Sequence, residues 1–183
     1  KILSVDINPS FLTVDTYVRD FKADPTWRNF AFNDERNGNR YMVGDVNRPF
    51  YFVDYEEGIY VGYRYWETRG FVELSNNPTS TWYEDHVVYP FGYGLSYTEF
   101  ETEILSSSLA DGATLTKDGV IDVTVRVKNT GSVRGKEVVQ LYYTAPYYEN
   151  GIEKAHVVLG AFAKTNLLNP GQRQDIKLSL NVM

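Results

Sequence analysis

The chain has 183 residues, room for one ordinary domain and part of another. Its net charge is −6 and no Lys/Arg cluster is visible, which argues against a grip on phosphate backbones and so against nucleic acid as a partner. There is no run of about 18 apolar residues to span a membrane as a helix, and with no cysteine there are no disulfides, thiolate metal sites or thiol nucleophile.

The missing cysteines suit a bacterial cytoplasm, although a secreted protein with a large core needs no disulfide either. His86 and His156 lie far apart without ligand spacing, so no metal and no cofactor is expected. Tyrosine is abundant, at 15 residues. Its ring packs while its hydroxyl keeps a polar partner, which suits both β-strands and surfaces that face sugars.

In chain order, Lys1-Ile2-Leu3-Ser4-Val5 reads as the tail of a helix or strand, Asn8-Pro9-Ser10 as a turn, and Phe11-Leu12-Thr13-Val14 as a short apolar run. Asp24-Pro25 is a further break, and residues 33–40 form a polar loop in which Asn37-Gly38 suits a hairpin turn. Phe50 to Tyr55 is an aromatic strand candidate. Beyond it, Gly58 and Gly62 are poor for an isolated helix and are expected to let the backbone approach a neighbour closely. Ser75 to Thr81 reads as a linker. Tyr89-Pro90-Phe91-Gly92-Tyr93-Gly94-Leu95-Ser96-Tyr97 is expected to be an irregular loop packed by its own rings.

After Thr98 the pattern changes. Ile121-Asp122-Val123-Thr124-Val125-Arg126-Val127-Lys128 alternates apolar and polar residues, the mark of a half-buried antiparallel strand. Further strands are expected over 137–143, 156–162 and 175–182, with Phe100 to Leu105 as a fifth and Gly160 marking a bulge. These short strands with turns between them indicate a β-sandwich. A seven-stranded sandwich needs more, and the expectation from an unfinished last strand is truncation.

Several segments carry a resemblance. Tyr55-Glu56-Glu57-Gly58-Ile59-Tyr60-Val61-Gly62-Tyr63-Arg64-Tyr65 and Pro90-Phe91-Gly92-Tyr93-Gly94-Leu95-Ser96-Tyr97-Thr98 resemble two signatures of the family 3 glycoside hydrolases, the β-glucosidase type. Val127 to Gly131, Gly135 to Tyr142, Leu159 to Thr165 and Asn169-Pro170-Gly171-Gln172 then follow in the order of that family's fibronectin-III-like module.

The resemblance implies a mainly β segment. Residues 1–88 would be the C-terminal part of the family's α/β sandwich domain with a polar insertion. Residues 89–99 would be an irregular aromatic linker tying the two domains, and 100–183 a fibronectin-III or immunoglobulin-like sandwich. The insertion between Val14 and Tyr55 is similar to members in which these domains precede the barrel. Family members hydrolyse terminal β-linked sugars with retention, which needs a carboxylate nucleophile and a separate acid/base about 5 Å apart. Neither motif occurs here, so no catalytic residue is expected in this segment. Its partners would be the remaining α/β and barrel domains and, through them, a β-glucoside or oligosaccharide.

The candidates for contact with substrate are Asp54, Glu56, Glu57, Arg64 and Trp66. The acidic trio would hydrogen-bond sugar hydroxyls or border a sugar pocket. The competing reading has these carboxylates capping the Gly58 segment or pairing with Arg64. Trp27, Trp66, Trp82 and Tyr83 are candidate stacking platforms, with core packing as their alternative. A stand-alone carbohydrate-binding or adhesion module remains a rival reading of the whole chain, as do β-xylosidase and N-acetylglucosaminidase specificities.

Overall fold

The computed structural model describes residues 1–4, 6–29, 40–41, 50–51 and 55–182. Strand β1 (Tyr17–Val18) is followed by single 3-10 turns at Phe21–Ala23 and Pro25–Asn29, then β2 (Arg40–Tyr41) and β3 (Phe50–Tyr51). Helices α1 (Tyr63–Asn76) and α2 (Trp82–His86) lead into β4 (Val87–Tyr89). The remaining strands are β5 (Phe100–Ser107), β6 (Val120–Asn129), β7 (Val138–Tyr143), β8 (Val158–Lys164) and β9 (Arg173–Asn181). The chain divides into two compact units that interleave along the sequence. A sandwich unit takes residues 1–13, 92–143 and 158–183, and a helical unit takes 14–91 and 144–157.

In the sandwich unit β6 is central, paired antiparallel with β5 on one side and β9 on the other, while β7 pairs with β8. The period-two pattern of β6 sends Val123, Val125 and Val127 inward, where they form one cluster with Val139, Leu168, Ile176 and Leu178. Each such side chain contributes about 1.5–3 kcal/mol by leaving water, an upper estimate. All five strands expected from the sequence are present. The bulge expected at Gly160 also falls in place: Leu141 opposes Ala161 and Tyr142 opposes Leu159, which leaves Gly160 without a partner of its own.

The core is closed at one end by Asn129, which is wholly buried and fully used. Its Oδ1 accepts from Thr98 Oγ1 at 2.7 Å and from the Gly131 N–H at 3.1 Å, and its Nδ2 donates to the carbonyls of Val133 and Leu168. At the chain start, Ile2–Ser4 form a hydrogen-bonded turn. Asn8 then binds the aromatic loop, accepting the Tyr97 N–H at 2.8 Å and donating to Ser96 Oγ at 3.0 Å.

The helical unit departs from two expectations. Gly58 and Gly62 both have φ of +57°, with nothing within 4 Å of a Cβ at Gly58 and only a carboxylate oxygen of Asp15 at 3.6 Å from one at Gly62. They therefore supply left-handed backbone rather than close approach, and Gly62 is the residue from which α1 starts. The sequence reading also gave no helix over 63–76. Gly70 inside α1 is the close-approach glycine: a Cβ there would lie 2.7 Å from Cδ2 of Tyr83 on α2. In the 89–97 loop, Tyr89 packs edge-on to Tyr17 and Phe91 lies 4.5 Å from Tyr63, so these two rings rest on partners outside the loop. The Asn37-Gly38 turn falls outside the described residues.

Candidate functional site

Helix α1 is the scaffold of the helical unit, and its inward residue is Trp66, only 1% exposed. The ring stacks on Trp82 with centroids 5.7 Å apart, meets Tyr65 edge-on at 5.0 Å, and donates its Nε1–H to Asp24 at 3.3 Å. Trp82 in turn stacks on His86 at 4.4 Å, and the Arg69 guanidinium sits 5.9 Å from the Trp82 ring centre. His86 Nδ1 lies 2.6 Å from the Trp82 carbonyl one turn back. Indole and imidazole thus form one column, tied at its buried end by a carboxylate.

On another face of α1, Thr68, Phe71 and Val72 recur at helical spacing and look into a cleft of about 500 Å³. The 144–157 segment forms its other wall with Pro146, Tyr147, Glu153 and His156. The imidazole of His156 lies flat on the Phe71 ring, centroids 3.8 Å apart and planes 9° from parallel, and its backbone N–H donates to Thr68 Oγ1 at 2.9 Å. The same two rings also line a second hollow, of about 290 Å³, with Glu67, Leu74 and Tyr83.

Each hollow carries a phenol that donates to a carboxylate. Tyr60 donates to Glu153 in the larger, and Tyr83 donates to Glu67 in the smaller. The hydrogen bond to Glu153, with some burial, pushes the Tyr60 phenol up to about 12. Burial first, and then the bond to Glu67, push Tyr83 higher still. Both phenols therefore stay protonated donors at any working pH. Each carboxylate keeps acceptor positions in excess of the one its tyrosine occupies.

The candidates nominated from sequence that the structure describes lie in the turn before α1 and on α1 itself. Asp54 lies outside the described residues. Glu56 and Glu57 sit in the turn over 56–59 closed by the Gly58 N–H to the Tyr55 carbonyl, with Glu56 exposed and Glu57 half-buried. Arg64 is exposed on the first turn of α1. Trp66 is corrected from stacking platform to core ring, because burial at 1% leaves it no face for a ligand. Trp82 and Tyr83 are likewise committed to internal partners, though both remain half-buried. No cluster able to hold a metal ion is found among the described residues.

What the sequence reading missed is the 144–157 segment. A hairpin connection between paired strands is usually about 2–5 residues long. The stretch between β7 and β8 is far longer and carries Pro146, Tyr147, Tyr148 and Ile152. That length and apolar content signalled a segment folded for another purpose.

No family model matches the chain. It is 37% identical to beta-glucosidase A of Butyrivibrio fibrisolvens over 98% of its own length and 19% of that protein. The structure of a beta-glucosidase from Paenibacillus barengoltzii superposes with a TM-score of 0.71 at 38% identity, covering 98% of this chain and 16% of that one. Beta-glucosidase 3B from Thermotoga neapolitana, solved in complex with α-D-glucose, gives 0.70 at 36% identity, with 98% and 20% covered. The chain therefore spans about a fifth of the length of the curated relative it matches.

Proposed function

The chain belongs to the family 3 glycoside hydrolases, and from that we propose that it is a segment of a retaining β-glucosidase that releases terminal, non-reducing β-D-glucosyl residues. The observation that carries this reading is likeness along 98% of the chain to proteins named as beta-glucosidases, one of them solved with glucose bound. Retaining hydrolysis needs a nucleophilic carboxylate and an acid/base carboxyl about 5–5.5 Å apart. In this reading both belong to other parts of the parent polypeptide, and this segment braces the domains that carry them. The sandwich core supports a bracing role, since its inward positions are aliphatic and its polar anchor, Asn129, is fully engaged.

Within the segment, Glu56, Glu57 and Arg64 are the residues proposed to border the sugar pocket. Trp66 is a positioning residue in this reading, its buried ring anchoring the first turns of α1. The test has two arms. The longer polypeptide carrying this segment should hydrolyse 4-nitrophenyl β-D-glucoside and release β-glucose first, seen by NMR before mutarotation. Release of α-glucose, or a clear preference for the xyloside or N-acetylglucosaminide, would overturn the reading. The 183-residue chain alone, its mass verified, should give no turnover. Turnover at that mass would place the catalytic carboxyls inside it.

A further inference from the structure

We infer that the cleft between α1 and the 144–157 segment is a binding site for a neutral, gluco-configured pyranoside. Phe71, Val72, Pro146 and Tyr147 give the cleft apolar walls, while Glu153 and the Tyr60 hydroxyl supply polar groups that converge on it. A β-glucopyranosyl ring, with its ring substituents equatorial, shows C–H groups on both faces and hydroxyls around its edge. It therefore fits a site with an aromatic surface beside a carboxylate acceptor.

Three features favour this ligand. Tyr147 lines the cleft and is 55% exposed as a residue, so it is not committed to a packed core and can stack on a ligand. The Phe71–His156 stack and the Tyr60–Glu153 bond fix the neighbouring groups beforehand, so little ordering remains for binding to impose. Glu153 repels anions, and the ammonium of Lys154, the one Lys or Arg lining the cleft among the described residues and held by the Pro146 carbonyl, repels cations, so the paired charges favour a neutral ligand. The site itself stands on this geometry. The choice of a glucosyl ring over other neutral sugars rests on the β-glucosidase reading.

The experiment is a calorimetric titration of the 183-residue chain with cellobiose, repeated on Tyr147→Ala and Glu153→Gln and with 4-nitrophenol as a flat, non-sugar probe. Saturation at a Kd of about 1–10 mM is expected for cellobiose, about tenfold weaker in Tyr147→Ala and several-fold weaker in Glu153→Gln. Melting temperatures identify any variant that loses structure; if Tyr147→Ala does, Glu153→Gln decides alone. No saturation by about 100 mM, or an unchanged Kd in both folded variants, would overturn the site. So would tighter binding of 4-nitrophenol that cellobiose fails to displace. Hydrolysis by the longer polypeptide is scored separately, so loss of either result leaves the other legible.

Discussion

In the sandwich unit the buried residues arrive at every second position, Val123, Val125 and Val127 from β6 meeting Val139, Ile176 and Leu178 from other strands. In the helical unit the most completely buried large side chain among the described residues is Trp66, and its partners are the rings of Tyr65, Trp82 and His86 and the carboxylate of Asp24. Around it Phe71, Val72 and Leu74 of the same helix remain 40–51% exposed. The aliphatic core gains stability from many small, interchangeable burials. The aromatic column concentrates it in a few contacts of fixed geometry. Substitutions that sever one such contact should therefore cost the helical unit more than a comparable loss costs the sandwich.

Trp66→Ala is the sharpest way to break that contrast. Removing a buried indole costs about 3–5 kcal/mol, and here it also takes the donor from Asp24 Oδ2, leaving that carboxylate only the Thr26 contacts to its other oxygen. Far-UV circular dichroism should show the α1 signal melting first while the strand signal persists, a departure from two-state unfolding. A single shared transition would show that the two units are not separately stabilised.

Asn129→Ala probes the other unit at its one concentrated point. The four hydrogen bonds of that side chain hold a loop, a strand end and a turn together in a buried place. Losing them removes the Asn129 donor from the Val133 carbonyl and leaves the Leu168 carbonyl with the Gly135 N–H alone, at a cost of about 2–3 kcal/mol, read as a lower denaturant midpoint for the strand signal. Asn129→Asp keeps the acceptor but loses the Nδ2 donor and buries a charge, so it should be at least as damaging.

These positions also show why one unit was legible in the sequence and the other only partly. The alternation of β6 is written in eight consecutive residues, and the Gly160 bulge declares itself as a lone glycine in an apolar run. Asn129 sits in an Asn-Thr-Gly stretch that reads as an ordinary strand end, so its role in the core depends on Leu168 and Thr98, far away in the chain. In the helical unit, glycines with opposite purposes look alike: Gly62 is needed for its positive φ and Gly70 for the Tyr83 ring against it. Trp66 could be named as important from its surroundings, but whether its face meets ligand or core is decided by Trp82 and Asp24, which no spacing rule connects to it. The cleft was invisible because half of it comes from residues 144–157, which leave the sandwich strands to fold with the helical unit.

Glu137→Gln tests a smaller effect at the start of β7. Glu137 is half-buried, and burial raises its pKa above the usual carboxylate value, partly offset by the Val138 N–H it accepts and by Lys164. A carboxyl with a raised folded-state pKa penalises the fold once pH exceeds its unfolded value, and the penalty is complete above the folded value. The glutamine keeps the acceptor without the charge. It should stabilise the sandwich slightly at neutral pH, by less than about 0.5 kcal/mol after solvent screening, and have no effect once pH falls below the unfolded pKa. A thermal melt repeated across that range checks both the sign and the window.

The smallest effect belongs to the exposed ion pairs across β6 and β9. Arg126 binds Asp175 through two parallel contacts of 2.8 Å, and Lys177 reaches Asp122 at 2.7 Å. The Arg126 guanidinium holds the Asp175 carboxyl below its ordinary value; Lys177, with help from the Ser179 hydroxyl, does the same for Asp122. A depressed folded-state pKa stabilises above the unfolded value near 3.8 and loses that contribution as pH drops through the folded value, the reverse of the Glu137 case. Asp175→Asn and Asp122→Asn should thus differ little from the parent at neutral pH, and the gap should close in acid and in molar salt. A gap that persists in salt would mean that the paired donors of Arg126 position β6 against β9 through their hydrogen-bond geometry. The sandwich would then depend, like the helical unit, on a contact of fixed geometry in addition to its aliphatic burial.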